Sequence, residues 1–401
     1  MEDTKFIDAG WLIDGTGGPV RKNIRLHIEK GRIVSINDSC AGDSAAAKAT
    51  DFGSSTILPC LVDSHVHLWM SGTDDPVARE KQLSAGFDEI KVIISEHVKR
   101  HLSHGILAVR DGGDKDAYVM RYRNECIDIK KMPIDIRVAG RGWHRAGRYG
   151  GLIGRAPEED QSLTEAIQYD HEVKDHIKIV NSGLNSLKEF GKETLPQFSA
   201  EELSDVVKIA KKCGRRVMVH ANGKKPVAAA LAAGCHSIEH GFFMGSENLK
   251  IMAEKGVVWV PTAFTMKGYA EHVENGSVEH DVSIMNLDHQ LGQISKAREL
   301  GVTIALGTDA GSIGVDHGYA VIEELKLLIA AGYSLPEAIR CATCNGARLL
   351  GIGAFGVISE GMAATFLVAK GDPSKLPDAL SAIEAIYING MCASDGLKSV
   401  Y

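Results

Sequence analysis

The amino-acid sequence predicts an α/β fold class: a TIM-type (β/α)8 barrel with a small β-sandwich domain built from both chain termini. Three observations predict it. Eight short apolar runs alternate with longer amphipathic segments. Metal-capable side chains recur at the carboxyl ends of five of those runs. Strand-like texture without helices between returns at both ends of the 401-residue chain. Alternation of this kind signals a parallel sheet, and in a closed parallel barrel the carboxyl ends of all strands open onto one face.

The first 56 residues read as the first half of the β-sandwich. FIDAGWLIDGTG is followed by IRLHIEKGRIVSIND, where LHIEKGRIVSI reads as two strands joined by a turn at Lys30-Gly31. Residues 57–353 read as the catalytic barrel, with strands expected at 57–67, 106–113, 134–140, 176–180, 216–220, 236–240, 257–261 and 303–309. Between them, EELSDVVKIAKKCG and HQLGQISKARELG have apolar residues at helical spacing and end in glycine, as amphipathic helices with glycine caps do. Residues 354–401, with GVISEGMAATFLVAKGDP and AIEAIYINGMCASDG, read as the second half of the sandwich.

Composition narrows the class. The chain is 44% hydrophobic and 24% charged, as ordinary globular domains are, and its 45 Lys plus Arg against 52 Asp plus Glu leave a net charge of −7. No basic block supports nucleic-acid binding, so a small-molecule substrate is the expected partner, together with assembly into a homo-oligomer. The start, MEDTKFIDAGWLIDG, lacks a secretory pattern, and no apolar run is long enough to span a membrane. The cytoplasm is the expected location. The eight cysteines are spread thinly, so reduced thiols are expected, and Cys341-Ala-Thr-Cys344 falls in a helical pattern with no second pair at zinc spacing.

His65 and His67 are two apart on a strand, so both imidazoles share one face, and neutral imidazole is the commonest ligand of zinc-like ions. An accidental pair on a half-exposed strand is the alternative. His220 and His240 each close a run, where a hydrogen-bonded core histidine is equally familiar. Asp309 follows the apolar TIALGT, which buries a carboxylate unless a cation or several donors compensate it. Lys178 in HIKIV cannot bind a cation as an ammonium.

In this order, LPCLVDSHVH, IKIVNSG, MVHANG, SIEHG, LGTDAG and ATCNGARLLG resemble the amidohydrolase superfamily along essentially the whole chain. The likeness is to its binuclear branch of prolidase-like and imidazolonepropionase-like relatives. That resemblance implies that His65, His67, His220 and His240 bind metal, that Lys178 is carboxylated and bridges two divalent ions, and that Asp309 binds one ion and transfers the proton. Two zinc ions are implied, or manganese, iron or cobalt. The implied reaction is hydrolysis of a C–N amide, peptide or urea-like bond by a metal-activated hydroxide.

Alternatives within the superfamily are a deaminase and a lactone or cyclic-amide hydrolase. Such deaminases place a glutamate three residues after the fifth-strand histidine, whereas Ala-Asn-Gly follows His220. A non-catalytic barrel relative is the alternative from another class. The chain departs from the family in GMAATFLVAKGD, where Ala-Asp is usual, and in the loop 140–155, which lacks the pattern of the dipeptidases. No G-x-S-x-G elbow points to a covalent route.

Substrate contacts are expected from the loops at the same face. The loop GRGWHRAGRYGGLIGR brings His144, Arg148 and Tyr149, beside Arg141 and Arg145, and His317 in GVDHGYA is a further candidate; a solvated basic loop is the alternative. Arg110 and Asp111, neighbours on a strand, are read as support for the site and a structural pair. His97, His101 and His104 have helical spacing without the glutamate of a metalloprotease motif, and are read as a solvated helix face.

Overall fold

A computed structural model of the chain describes residues 4–39, 49–128, 132–353 and 355–393. Cys40 and the last eight residues, which the sequence reading includes, lie outside them. The strands Leu61–Val66, Ile106–Asp111 and Asp135–Val138 form a three-stranded sheet. A six-stranded sheet runs in the order Val258–Val260, Ser237–His240, Arg216–Ala221, His176–Val180, Gly142–Trp143 and Gly154–Arg155. Every neighbour in both sheets is parallel.

Three links connect the two sheets. Asp175 N donates to Val138 O at 2.9 Å, and isolated parallel bridges join Trp259 to Ile304 and Val66 to Ala310. The run 303–309 thus pairs on both sides, through Trp259 N to Thr303 O at 2.9 Å and Ser64 N to Leu306 O at 2.8 Å, but only as single bridges.

Helices fill the intervals as their caps dictate. Ala200–Lys212 begins at a reciprocal capping box between Ser199 and Glu202, buries Leu203, Val206 and Ala210, and ends before Gly214 at φ +64°. Val278–Leu300 starts at Ser277, whose hydroxyl accepts from His280 N, and stops at Gly301 at φ +75°. The Cys-x-x-Cys sits in a continuous helical stretch, Leu335–Leu350, broken only by a π turn at Cys341–Asn345 that buries both thiols. Cys60, Cys126, Cys213, Cys235, Cys341 and Cys344 are free thiols, and no helix among the described residues is long and apolar enough to cross a membrane.

Both ends of the chain enter one seven-stranded sheet, in the order Met391–Cys392, Ile383–Ile388, Phe366–Lys370, Thr50–Pro59, Thr4–Leu12, Arg21–Glu29 and Arg32–Asp38. The last two strands are the expected hairpin, with Lys30 at φ +47° and Gly31 at φ +75°. The expected first barrel strand, 57–67, is corrected. Ile57, Leu58 and Pro59 pair with Val368, Leu367 and Phe366, so the run changes sheets at Cys60. Both halves are apolar and buried, and a bend between two buried strands leaves no mark in hydropathy.

Alternation along these strands divides two cores. Leu58, Leu367, Ala369 and Ile386 join the main core, while Ile57, Phe366, Val368 and Tyr387 pack with Ile24, Leu26 and Ile28 in a second one. The sheet is therefore docked through one face. Leu367→Ala, which empties a fully buried position on that face, should lower stability by about 2–5 kcal/mol in denaturant titration; a loss under about 1 kcal/mol would show that the face does not hold the sheet in place.

Candidate metal centre and substrate pocket

Strand ends place the expected ligands together. Asp309 Oδ1 lies 3.4 Å from His65 Nε2 and 3.4 Å from His67 Nε2, and the three ligand atoms fall within 4.8 Å of one another. Atoms bound to one tetrahedral ion at about 2.0–2.2 Å stand about 3.3–3.6 Å apart, so this spacing suits a zinc-like ion. Lys178 Nζ is 3.4 Å from His65 Nε2. The ring of His240 lies 4.9 Å from that of His65 and 4.6 Å from that of His220. The six residues converge from five parts of the chain, with His220 and His240 beside the trio rather than within it.

Each imidazole has one nitrogen hydrogen-bonded to a carboxylate, carbonyl or hydroxyl, and the other is the candidate ligand atom. His65 Nδ1 donates to Glu239 Oε2 at 2.9 Å, His67 Nδ1 to Gly113 O at 2.9 Å, and His220 Nε2 to Gly183 O at 3.1 Å. His240 Nδ1 is hydrogen-bonded to Thr262 Oγ1 at 2.7 Å. Such partners fix the ring and its tautomer. Burial holds the imidazoles neutral, lowering His67 to about 4 and His220 to about 3, with His65 and His240 well below the usual value. Neutral rings bind cations, and protonated ones repel them.

Burial also lowers the Lys178 ammonium to about 8, although Glu239 and Asp309 pull it back up, and raises the Asp309 carboxyl to about 6 against the opposing effect of Lys178. The backbone is strained here: His240, Thr262 and Asp309 have φ of +66°, +46° and +57°. Non-glycine residues hold such angles at a cost of about 1–3 kcal/mol each, and only where their surroundings force them. A Cβ at Gly112 would stand 2.7 Å from His67 Cε1, so that glycine gives the ring its room.

Supporting groups missed in the sequence lie directly beneath. Glu239, fully buried, accepts both Arg110 Nη2 contacts at 2.8 Å as well as the His65 proton, and the Ser237 hydroxyl donates to it at 2.5 Å. Asp63 accepts from Thr308 Oγ1 at 2.6 Å and Thr308 N at 3.0 Å, tying the strand of His65 to the segment of Asp309. Asp111, which the sequence already pairs with Arg110 as support, accepts from Leu68 N and Gly113 N, both at 2.9 Å, so only Glu239 and Asp63 are new. In the sequence each is only an acidic residue within an apolar run; that a run would otherwise bury it unpaired is the one available signal.

The centre opens into a cavity of about 320 Å³. Its walls include Trp69, Tyr149, Leu184, Phe242, Met266 and Ile313, with His67, Lys178, His220, His240 and Asp309 at the base. Tyr149 does face the site, its ring 5.4 Å from that of His220. The other expected contacts do not line the cavity. His144 Nδ1 meets Arg145 O at 3.0 Å, and Arg148 Nη2 donates to Leu195 O at 3.0 Å. Arg141 is paired with Glu172, and Arg145 with Glu202. The basic loop spends its charge on its neighbours.

His317 is corrected as well. It is buried away from the cavity, donating from Nε2 to Met70 O at 2.8 Å and stacking on His97 with ring centroids 3.9 Å apart. His97 and His101 are buried with it, not solvated as expected: His97 Nδ1 donates to Leu68 O at 2.8 Å, and His101 Nε2 is 3.2 Å from His317 Nδ1. Accepting backbone carbonyls make the burial of His97 and His317 tolerable, while His101 has His317 as its partner. The stack props the segment 68–70 that follows His67. Glu239→Gln removes both the charge that orients His65 and the counter-charge of buried Arg110; competitive chelator titration of the folded variant should show zinc affinity about 10–100-fold weaker, beside a loss of stability of about 3–5 kcal/mol, and unchanged affinity would reduce Glu239 to packing.

Comparison with known proteins follows the geometry. Residues 56–392 match the amidohydrolase family. An uncharacterised protein of Mycobacterium tuberculosis is 26% identical over 383 residues, 94% of each chain. Ochratoxinase of Aspergillus niger is 32% identical over 202 residues, covering 49% of this chain and 41% of that one. The crystal structure of a Xaa-Pro dipeptidase with methionine bound in its active site superposes with a TM-score of 0.79 at 26% identity, covering 97% of this chain and 99% of the other. With a family match spanning most of its length, and similar proteins that include hydrolases, the chain belongs to the amidohydrolase family.

Proposed function

We propose that the protein is a metal-dependent hydrolase that cleaves a C–N amide, peptide or urea-like bond of a small molecule. One observation carries the reading: four neutral imidazoles, a buried lysine and a carboxylate meet at the base of an apolar cavity. The same reading takes the parallel strands as one closed ring of eight over 57–353, and the sheet of the two ends, 1–56 and 354–401, as a β-sandwich folded over its own core.

His65, His67 and Asp309 would hold one divalent ion, and His220 and His240 a second, with zinc the metal their chemistry suits best. Bound there, the ions would bring a water close to ionisation at neutral pH and polarise the scissile carbonyl. Lys178 would join them as a carbamate. With its amine held near 8, about a tenth is neutral at pH 7, and the neutral amine is the form that adds CO2. The carbamate so formed is a carboxylate with two oxygens.

Asp309 takes the proton from the attacking water and returns it to the departing nitrogen. A carboxylate can act as the base in the first half of that transfer and, once protonated, as the acid in the second. Ser312 Oγ donates to Asp309 Oδ2 at 3.0 Å and keeps Oδ1 turned to the imidazoles. The apolar wall excludes bulk water, and no group on the chain needs to form a covalent adduct. A deaminase reading lacks its sequence signature, because Gly223 rather than a glutamate stands three residues after His220.

Metal-free protein reconstituted with zinc in bicarbonate buffer should take up about two equivalents, and in CO2-depleted buffer about one. Fewer than one equivalent in bicarbonate would remove the metal reading, and equal uptake in both buffers would remove the carbamate. Asp309→Asn should lower turnover of whichever amide the enzyme accepts by about 10²–10⁴-fold while most of the metal stays bound. Retained turnover would strip Asp309 of the proton transfer.

A further inference from the structure

One cation in the cavity wall has no counter-charge. Arg79 lies on the helix Pro76–Ser84, which Asp75 caps by accepting from Val77 N at 2.9 Å, just after the strand of His65 and His67. Its guanidinium turns back over the cavity. Nη1 donates to Ser71 O at 3.0 Å and Thr73 O at 3.1 Å, and Nη1 and Nη2 lie 3.4 and 3.5 Å from Gly311 O, two residues beyond Asp309. Three carbonyls therefore hold one end of the fork rigidly.

The opposite edge is unused. Nε–H and the second Nη2 hydrogen meet no protein acceptor, and among the described residues no carboxylate lies within ion-pair distance of Arg79, whereas Arg141, Arg145 and Arg155 each have one. That edge is the pair of parallel donors that a carboxylate accepts in bidentate fashion. Burial disfavours the charged form of Arg79, yet an arginine stays protonated, so the charge stands half-desolvated without compensation. Around it the wall is apolar: Trp69, Leu152, Leu184, Phe242, Met266 and Ile313.

We propose that Arg79 is the anion-binding residue of the cavity, so that the substrate is an amide bearing a carboxylate on one flank and a bulky apolar group on the other. The proposal rests on the hydrolase reading above. The anion meets the free edge of Arg79 beside Gly311, the scissile bond lies over Asp309, and the apolar group fills the wall between them. The loop 140–155 takes no part in holding the anion: Arg141, Arg145 and Arg155 are paired with acids, and Arg148 donates to Leu195 O away from the cavity lining.

The test begins with metal-free protein, where no bound ion attracts the anion. By titration calorimetry, N-acetyl-L-phenylalanine should bind at least tenfold more tightly than its neutral carboxamide. Arg79→Gln should bring the acid down to the affinity of the amide, and Arg79→Lys should recover part of the preference, having the charge without the fork. In the zinc-loaded enzyme, the acid-to-amide ratio of kcat/KM across N-acyl amino acids should fall at least tenfold in Arg79→Gln, chiefly through KM. Equal binding of acid and amide by the unaltered protein overturns the proposal, and so does a preference that survives in a folded Arg79→Gln. If that variant melts early, the Arg79→Lys comparison decides in its place. Failure of the hydrolase reading looks different: no amide is turned over by the zinc-loaded enzyme, while the acid preference of metal-free protein persists.

Discussion

Beneath His65 lies an ion pair that forms the floor of the imidazole cluster. Arg110 and Glu239 are buried together, and each of their polar atoms has a partner: Arg110 Nε donates to Ser64 O at 2.7 Å and Nη1 to Ser237 Oγ at 3.0 Å, while Glu239 takes the second arm, the Ser237 hydroxyl and the His65 proton. A buried pair of this kind contributes little net stability, because desolvation consumes most of the Coulombic gain. Breaking it costs about 3–5 kcal/mol. What it supplies is electrostatic. A lone guanidinium under the site would oppose any cation above it, whereas the neutralised pair presents His65 with an oriented acceptor and no net charge.

From that floor the rest of the centre follows. A ring that donates one N–H downward has its lone pair directed upward, and the same rule is repeated by Gly113 O under His67 and Gly183 O beside His220. Dry surroundings keep the rings uncharged and weaken the charge of Lys178. The positive φ values of His240 and Asp309 are part of the same design, since each side chain leaves its strand at an angle that regular strand geometry does not allow. Asp63 and Thr308 hold that strained turn through two hydrogen bonds across adjacent segments.

The sequence shows ligands more clearly than their surroundings, for a physical reason. A metal ligand at a strand end is a polar residue in an apolar run, and His65, His67, Lys178, His220, His240 and Asp309 all stand out against such a background. The hairpin at Lys30-Gly31 and the capped helix at Ser199 are legible because local chemistry determines them. Packing is not local. The change of sheet at Cys60, the inward turn of His97 and His101, and the placement of His317 depend on which carbonyls happen to lie opposite. The loop 140–155 reads as a substrate-binding basic loop because Glu172 and Glu202, which neutralise it, are distant in the chain. Arg79 does not stand out in the sequence for the converse reason: in DDPVARE it is one charge among several on a short helix, and only the fold leaves it without an acid within ion-pair distance among the described residues.

Ligands and walls come from different parts of the architecture, and that separation governs what a resemblance can carry. The candidate ligands lie at the ends of strands, whose positions backbone pairing determines. Nearly all of the cavity wall comes from the segments that follow those strands, at 69–79, 149–153, 184–187, 242, 265–269 and 311–313. Strand ends are held by ladders of hydrogen bonds and tolerate little change. Loops tolerate much. A chain 26% identical to a Xaa-Pro dipeptidase can thus superpose along its whole length and still differ in what its cavity admits. Substrate choice here must be sought where the wall departs from plain hydrophobicity. Away from the metal-binding side chains, an arginine without an acid is the largest such departure, because an uncompensated charge at an apolar surface is the one feature that packing alone would have selected against.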